Sequence, residues 1–383
     1  MSYLSKEELT KLHHYFSPEG ILSIYLNLSS RGYQKGRRWK TELNSGLRDL
    51  QKKYPKDKAL AKIIEKAKKD LSLFPLSELK RSIVSFISNN PELNWRKTFQ
   101  LPLKSKFIWQ KRAYLRPLVA MLDKNPIVGI GLLTTDKVRF LTWRQGLINE
   151  ELVEEISLNL REWRRYVGPA PSISTMSQQS STQTDLFDHR MAEQIDKFLR
   201  ELATKLPELA KKHNWERLVF IGDTTLVESI KKTLDISWQE KIIGTLDQIL
   251  IKKPILFIAE AVTELISQWK QKIEEKEVDI LINETLSGGR ACLGPQDCLN
   301  LLKEQRVAHL YFCSDIELSG FLRPDGYYVL SQPEGESNWQ KEPYLIEKMI
   351  ELALNNGVRV TPVEGEPAHK LAEQGGVGAF LHY

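Results

Sequence analysis

Between Val167 and Arg190 the chain reads GPAPSISTMSQQSSTQTDLFDH, a stretch dominated by Ser, Thr, Gln and Pro. It offers too little apolar surface to offset the entropy of ordering, so it reads as a loop or linker rather than part of a core. The fold must therefore be assembled from what lies on either side. Over 383 residues, with 41% hydrophobic and 27% charged residues, there is material for two or three ordinary globular cores. No apolar run approaches the roughly 20 residues of a membrane helix, and the N-terminus carries no basic region followed by an apolar stretch, so no membrane partner and a cytoplasmic location are expected.

Hydrophobic periodicity divides the chain into three. Residues 1–125 form a basic α+β domain. Gly20 to Leu28 alternates like a half-buried strand, helical spacing follows at Leu43, Leu47 and Leu50 and again from Ala59 to Ala67, and Arg81 to Ser88 reads as a second strand. Residues 126–252 form an α/β domain. It opens with a hairpin, 127–136 and 138–143, followed by an expected helix from Glu150 to Trp163, the loop 167–190, a helix from His189 to Ala210, a buried strand 217–223 and a helix 225–234. Residues 253–383 form a second α/β domain. It starts with a long helix from Ile255 to about Lys276, and a polar insertion spans about 315–343. Strands alternating with helices imply sheets with helices on both faces.

Charge and motifs narrow the function. Arg31, Lys35, Arg37, Arg38 and Lys40, with Tyr33 and Trp39 interleaved, could pair with phosphates and stack on bases, and Arg161, Arg164 and Arg165 make a second basic cluster. The plainer reading of the first is a solvated turn leading into a basic helix. The sequence has no phosphate-binding loop, no Gly-x-Gly-x-x-Gly after a strand, no His-Glu-x-x-His and no Gly-x-Ser-x-Gly, so no cofactor or metal is expected. Asp136 and Asp223, each at a strand end, read more simply as turn residues than as metal ligands. Cys292, Cys298 and Cys313 lack the spacing of a zinc site or a disulfide framework and read as small buried hydrophobes.

The last third is less generic. Residues 289–315, GRACLGPQDCLNLLKEQRVAHLYFCSD, resemble the segment G-x-x-x-x-G-x-x-D-x-L-x-x-A-L that opens the third domain of the archaeal and eukaryotic release-factor and Pelota family. Gly289, Gly294, Asp297 and Leu299 match, while Leu302 and Lys303 replace the closing Ala-Leu. The C-terminus QGGVGAFLHY resembles that family's G-G-I-G-x-I-L-R-Y, with Gly375, Gly376 and Gly378 matching and His382 in place of the Arg. The hairpin from Val128 resembles, more weakly, the start of the family's second domain, and the first region, which matches only in size and position, resembles the divergent bacterial, Balon-like members.

The resemblance implies a three-domain, release-factor/Pelota-like architecture: a divergent N-terminal α+β domain and two α/β sandwich domains. It implies a ribosome ligand touching ribosomal RNA and tRNA in the A site, with a translational GTPase as a further partner. Release factors carry a Gly-Gly-Gln loop just before a long helix of the second domain, whose glutamine positions the hydrolytic water. The corresponding stretch here has no such tripeptide; Gln178, Gln179 and Gln183 are the only stand-ins. The expectation is thus a non-hydrolytic factor of hibernation or rescue type. A peptidyl-tRNA hydrolase using one of these glutamines, and a protein-interaction adaptor, are the alternatives.

Overall fold

The computed structural model describes residues 3–28, 38–72, 80–89, 91–134, 137–155, 179–331 and 338–382. The chain divides into two compact units, one built from residues 1–125 and 270–383, the other from 126–269. The secondary structure is mixed α/β and α+β, as the periodicity implied.

In the first unit, β1 (Phe16–Asn27), β2 (Ser82–Asn89), β3 (Glu92–Phe99) and β4 (Lys106–Arg112) make an antiparallel sheet in the order β3-β2-β1-β4. α1 (Lys6–His13) precedes it, capped by the Ser5 side chain accepting from the Glu8 amide. α2 (Arg38–Lys53) and α3 (Lys58–Ser72) bring Leu43, Leu47, Leu60, Ile63, Ile64 and Ala67 onto Leu22, Ile24 and Leu26 of β1. Successive strand residues point to opposite faces, so Tyr25 and Phe86 belong to the other side, where they meet edge to face at 6.0 Å. Burial on both faces explains why β1 is almost continuously apolar from Ile21 to Leu26.

The rest of this unit is a mixed sheet, β10 (Ala291–Leu293), β16 (Val377–Leu381), β11 (Val307–Cys313) and β15 (Arg359–Val363), in that order, with only β11 and β15 parallel. α9 (Pro295–Lys303), α10 (Leu345–Asn355) and α11 (Glu366–Glu373) accompany it. The polar insertion at 315–343 is more ordered than expected: β12 (Gly320–Leu322), β13 (Tyr328–Val329) and β14 (Gln340–Glu342) form a small antiparallel sheet. α4 (Arg116–Asp123) fastens the two halves of the unit. Its Asp123 carboxylate takes Arg359 Nε at 2.7 Å and Thr361 Oγ1 at 2.6 Å.

The second unit holds a five-stranded sheet, β7-β6-β5-β8-β9, from β5 (Val128–Leu133), β6 (Lys137–Arg144), β7 (Leu147–Glu155), β8 (Arg217–Gly222) and β9 (Ile242–Leu246). On one face Val138, Phe140 and Phe220 pack against Leu202, Leu206 and Ala210 of α5 (Gln179–His213) and Val227 and Ile230 of α6 (Thr224–Thr233). Trp143 projects to the opposite face and donates through Nε1 to Thr263 Oγ1 of α8 (Ile255–Leu286), 3.2 Å away. The short α7 (Ile236–Gln239) lies between α6 and β9.

Three expectations are corrected here. Glu150 to Glu155 is strand, not helix: Gln145 and Gly146 both take positive φ, 50° and 81°, the signature of a tight two-residue hairpin turn that returns the chain along β6. The remainder of that expected helix lies outside the described residues. The polar stretch 167–190 is not a loop to its end, because α5 begins at Gln179; residues 167–178 lie outside the described residues. Ser and Thr are modest helix formers, and attachment to the apolar stripe from Leu199 to Ala210 extends the helix through them. α8 likewise runs ten residues beyond its expected end, since Val278 and Leu281 continue as core positions.

Candidate nucleic-acid interface

Of the first basic cluster, Arg31, Lys35 and Arg37 lie outside the described residues, as does Tyr33, and Arg38 is the first residue of α2. Trp39 corrects the expectation outright. It is 1% exposed, inside the core between α2 and the sheet, and is closed to a stacked base. Lys40 Nζ sits 5.4 Å from its ring.

The basic surface is instead displayed by the α2–α3 hairpin. Residues 38–72 contain eleven Lys and Arg against five Asp and Glu, a surplus of six that equals the +6 of the whole chain. Core residues at Leu60, Ile63, Ile64, Ala67 and Leu71 turn the lysines between them outward, so Lys52, Lys53, Lys56, Lys58 and Lys62 are exposed. The turn between the helices is held by Asp57, whose carboxylate accepts from the Leu60 amide at 2.9 Å and from Trp109 Nε1 at 2.8 Å. Exposed pairs such as Lys52 with Asp49, 3.3 Å apart, hold such side chains only weakly and leave them available to phosphates.

The second basic cluster, Arg161, Arg164 and Arg165, and Gln178 lie outside the described residues. The backbone of Gln179 and Gln183 belongs to the first turns of α5, so neither sits on an extended loop. Asp136 is also outside the described residues. Asp223 caps α6, accepting from the amides of Thr225 and Leu226 at 2.8 and 3.3 Å. Among the described residues no group of three or more His, Cys, Asp or Glu could hold a metal.

The family-motif residues converge on one place in the C-terminal sheet. Gly294 links β10 to α9 with φ of 92°, and its amide donates to Val377 O at 2.9 Å. Gly376, at φ of 74°, lies so near Ile316 that a Cβ would come within 2.2 Å of Cδ1. Both positions demand glycine. A Cβ on Gly375 would touch Pro295 at 3.2 Å, and one on Gly378 would come within 3.0 Å of Leu293, so the two motif segments pack directly on each other. Gly289 lies against Glu284, Leu299 is fully buried, and Asp297 occupies the first turn of α9, where a carboxylate suits the helix dipole. The motif thus belongs to the scaffold of this half of the unit, with Gly289, Gly375, Gly376 and Gly378 packed against protein.

A polar network joins α4 to that scaffold. Thr361 donates to Asp123 and so accepts from His309 Nε2–H at 2.7 Å; His309 Nδ1 then accepts from the Tyr311 hydroxyl at 2.7 Å. This fixes a neutral imidazole, and burial, with Arg359 nearby, pushes the His309 pKa down to about 3. Burial, with Glu277 beside it, pushes the Tyr311 phenol up. Where α4 ends, Lys124 pairs with Glu274 at 2.7 Å and Lys270 Nζ donates to Asn125 Oδ1 at 2.9 Å.

Burial and then the neighbouring Lys124 push Lys270 down to about 7. Between pH 7 and the 10.5 of an ordinary lysine, the unfolded chain binds a proton that the folded chain lacks, so stability rises with pH across this window; below pH 7 both states hold the proton and the burial penalty is present in full. The urea midpoint of the wild-type protein is expected to climb from pH 7 to 9, and Lys270→Met is expected to flatten most of that climb. Equal slopes in the two proteins would contradict the assignment.

Residues 126–255 match the model of bacterial archaeo-eukaryotic release factor family 5. The resemblance read from the C-terminal motifs is thus borne out by a separate part of the chain, which over these residues is similar to a divergent bacterial branch of the archaeo-eukaryotic release factors. The Bacillus subtilis (strain 168) protein YocB, itself uncharacterised, is 26% identical over 226 residues, covering 57% of this chain and 81% of its own. Among solved structures, a model of ribosome-bound archaeal Pelota and ABCE1 aligns over 100% of this chain and 95% of its own at 11% identity and a TM-score of 0.42. Archaeoglobus fulgidus Pelota aligns over 100% and 94% at 12% identity and 0.38, and the archaeal termination factor aRF1 over 99% and 99% at 16% identity and 0.25.

Proposed function

We propose that this release-factor-like chain is a ribosome-associated translation factor that occupies the A site without hydrolysing peptidyl-tRNA, in ribosome hibernation or rescue. The observation that carries the reading is the family match over residues 126–255 in a chain whose sequence has no Gly-Gly-Gln. The cytoplasm is where such a ligand works. The three-domain division 1–125, 126–252 and 253–383 belongs to the same reading, with the first domain directed to ribosomal RNA and the third to a protein partner such as a translational GTPase.

The lysines of the α2–α3 hairpin support a phosphate-contacting role. Affinity built on phosphate contacts is strongly salt-dependent: with 6–10 of them, it falls by about 10³ to 10⁵ between 50 and 200 mM salt. Sedimentation of lysates from growing and starved cells tests the reading. The protein is expected to travel with ribosomal particles at low salt and to leave them as salt is raised. Its absence from ribosomal fractions at low salt in both conditions would sink the proposal. A release assay on peptidyl-tRNA-loaded ribosomes is expected to show no product; release that disappears on changing Gln178, Gln179 or Gln183 to Ala would establish the hydrolase instead.

A further inference from the structure

Cys292 and Cys298 lie six residues apart in the chain, yet their Sγ atoms are 3.3 Å apart. Cys292 is the middle residue of β10, an edge strand hydrogen-bonded on one side to β16 through the Cys292↔Ala379 pair. Cys298 is in the first turns of α9 and fully buried, with its Sγ also 3.7 Å from the Cys292 carbonyl. The juxtaposition is made by Gly294 and Pro295. The positive φ of the first reverses the chain, and the second starts the helix, so that strand and helix present their thiols to each other. Cys292 is partly open to solvent and Cys298 is not.

We infer that Cys292 and Cys298 form a peroxide-responsive dithiol, in which oxidation closes an intramolecular disulfide that ties β10 to α9. The partners have distinct roles. The hydrogen bond from Cys298 favours the Cys292 thiolate and lowers its pKa, whereas that same pairing, with burial, holds the Cys298 thiol up. Cys292, accessible and the more acidic, is the nucleophile. Its thiolate attacks a peroxide oxygen; the S–O bond forms, the O–O bond breaks, and the departing alkoxide or hydroxide takes a proton. Cys298 then attacks the Cys292 sulfur of the sulfenic acid. The S–S bond forms, the S–O bond breaks, and the thiol proton of Cys298 leaves with the oxygen as water. In sum, two thiols and one peroxide give a disulfide, an alcohol or water, and a further water.

Cys313 is outside this chemistry. Its thiol donates to Ala368 O at 3.1 Å, and burial pushes its pKa up. A disulfide across the Gly294–Pro295 turn would stiffen the point where the two motif segments pack, in a chain whose cysteines otherwise suit a reducing compartment. This inference is independent of ribosome binding.

The test uses the full-length reduced protein treated with hydrogen peroxide, with thiols counted under denaturing conditions and the linked peptide identified by mass spectrometry. The three thiols of the wild-type chain are expected to fall to one, with Cys292 joined to Cys298. Cys313→Ser is expected to lose its two thiols as fast. Cys298→Ser is expected to stop at a dimedone-reactive sulfenic acid on Cys292, and Cys292→Ser to slow thiol loss by about tenfold or more. Retention of all three thiols, a bond involving Cys313 or a second copy of the chain, or undiminished thiol loss in Cys292→Ser would each overturn the assignment.

Discussion

Replacing Arg116 by Met is expected to destabilise the protein by about 3–5 kcal/mol, the cost of leaving a buried ion without its partner. Arg116 is 5% exposed and Glu347, on α10, 8%. Nε donates to Glu347 Oε1 at 2.9 Å and a second guanidinium nitrogen to Oε2 at 3.1 Å, a fork-to-fork pair, while the third donates to the carbonyls of Ser314 and Ile316. The guanidinium also lies 5.3 Å from the Tyr114 ring. Met fills similar volume but satisfies none of these acceptors. Arg116→Met with Glu347→Leu removes the stranded carboxylate, and the double variant is expected to recover most of the loss, because a buried pair contributes little net stability over apolar residues. Urea unfolding of the three proteins measures this. A single-variant cost below about 1 kcal/mol would mean that the pair is not buried as described. Since the pair joins residues 1–125 to residues 270–383, wild-type unit 1 is expected to unfold in one transition.

Elements with a strong local signature were legible in the sequence: the strand from Ile21 to Leu26, though buried on both faces rather than one, the stripe on α3, the buried strand 217–222 and the C-terminal glycines. Features fixed by a turn or by a distant partner were not. β7 depends on the positive φ of Gln145, which no propensity announces. The start of α5 at Gln179 depends on the apolar stripe twenty residues further on. The pairing of α4 with the C-terminal sheet rests on Asp123, Arg359 and Thr361, far apart in sequence. At the candidate interface, clustering of positive charge near residue 40 was readable, but which residues face water was not. The helical period places Trp39 with Leu43, Leu47 and Leu50, and that phase buries it. The cysteine pair escaped for the same reason as β7, since it exists only because of the reversal at Gly294.

Trp39→Ala is expected to cost about 3–5 kcal/mol, and this large effect separates a core residue from a base-stacking one. The indole fills the space between α2 and the sheet, in the cluster with Leu22, Leu43 and Trp109, and at 1% exposed it offers no face to a nucleobase. Truncation removes a bicyclic ring from a closely packed site and leaves a cavity that the surrounding backbone cannot fill. Loss of ribosome association by Trp39→Ala would therefore follow from unfolding and say nothing about RNA. Trp39→Phe is the informative partner. It keeps an aromatic ring in the core at a smaller cost, about 1–2 kcal/mol, so the folded protein persists with its lysine-rich face intact. Ribosome association of Trp39→Phe is expected to stay within about twofold of wild type, whereas reversing the charge of Lys52, Lys53, Lys56 and Lys58 leaves the core alone and is expected to weaken association at least about a hundredfold at low salt. Circular dichroism melts alongside sedimentation at matched salt distinguish the two effects. If Trp39→Phe lost ribosome binding while retaining its fold, or the charge-reversed hairpin retained full binding, the division into an apolar core under a basic contact face would be wrong.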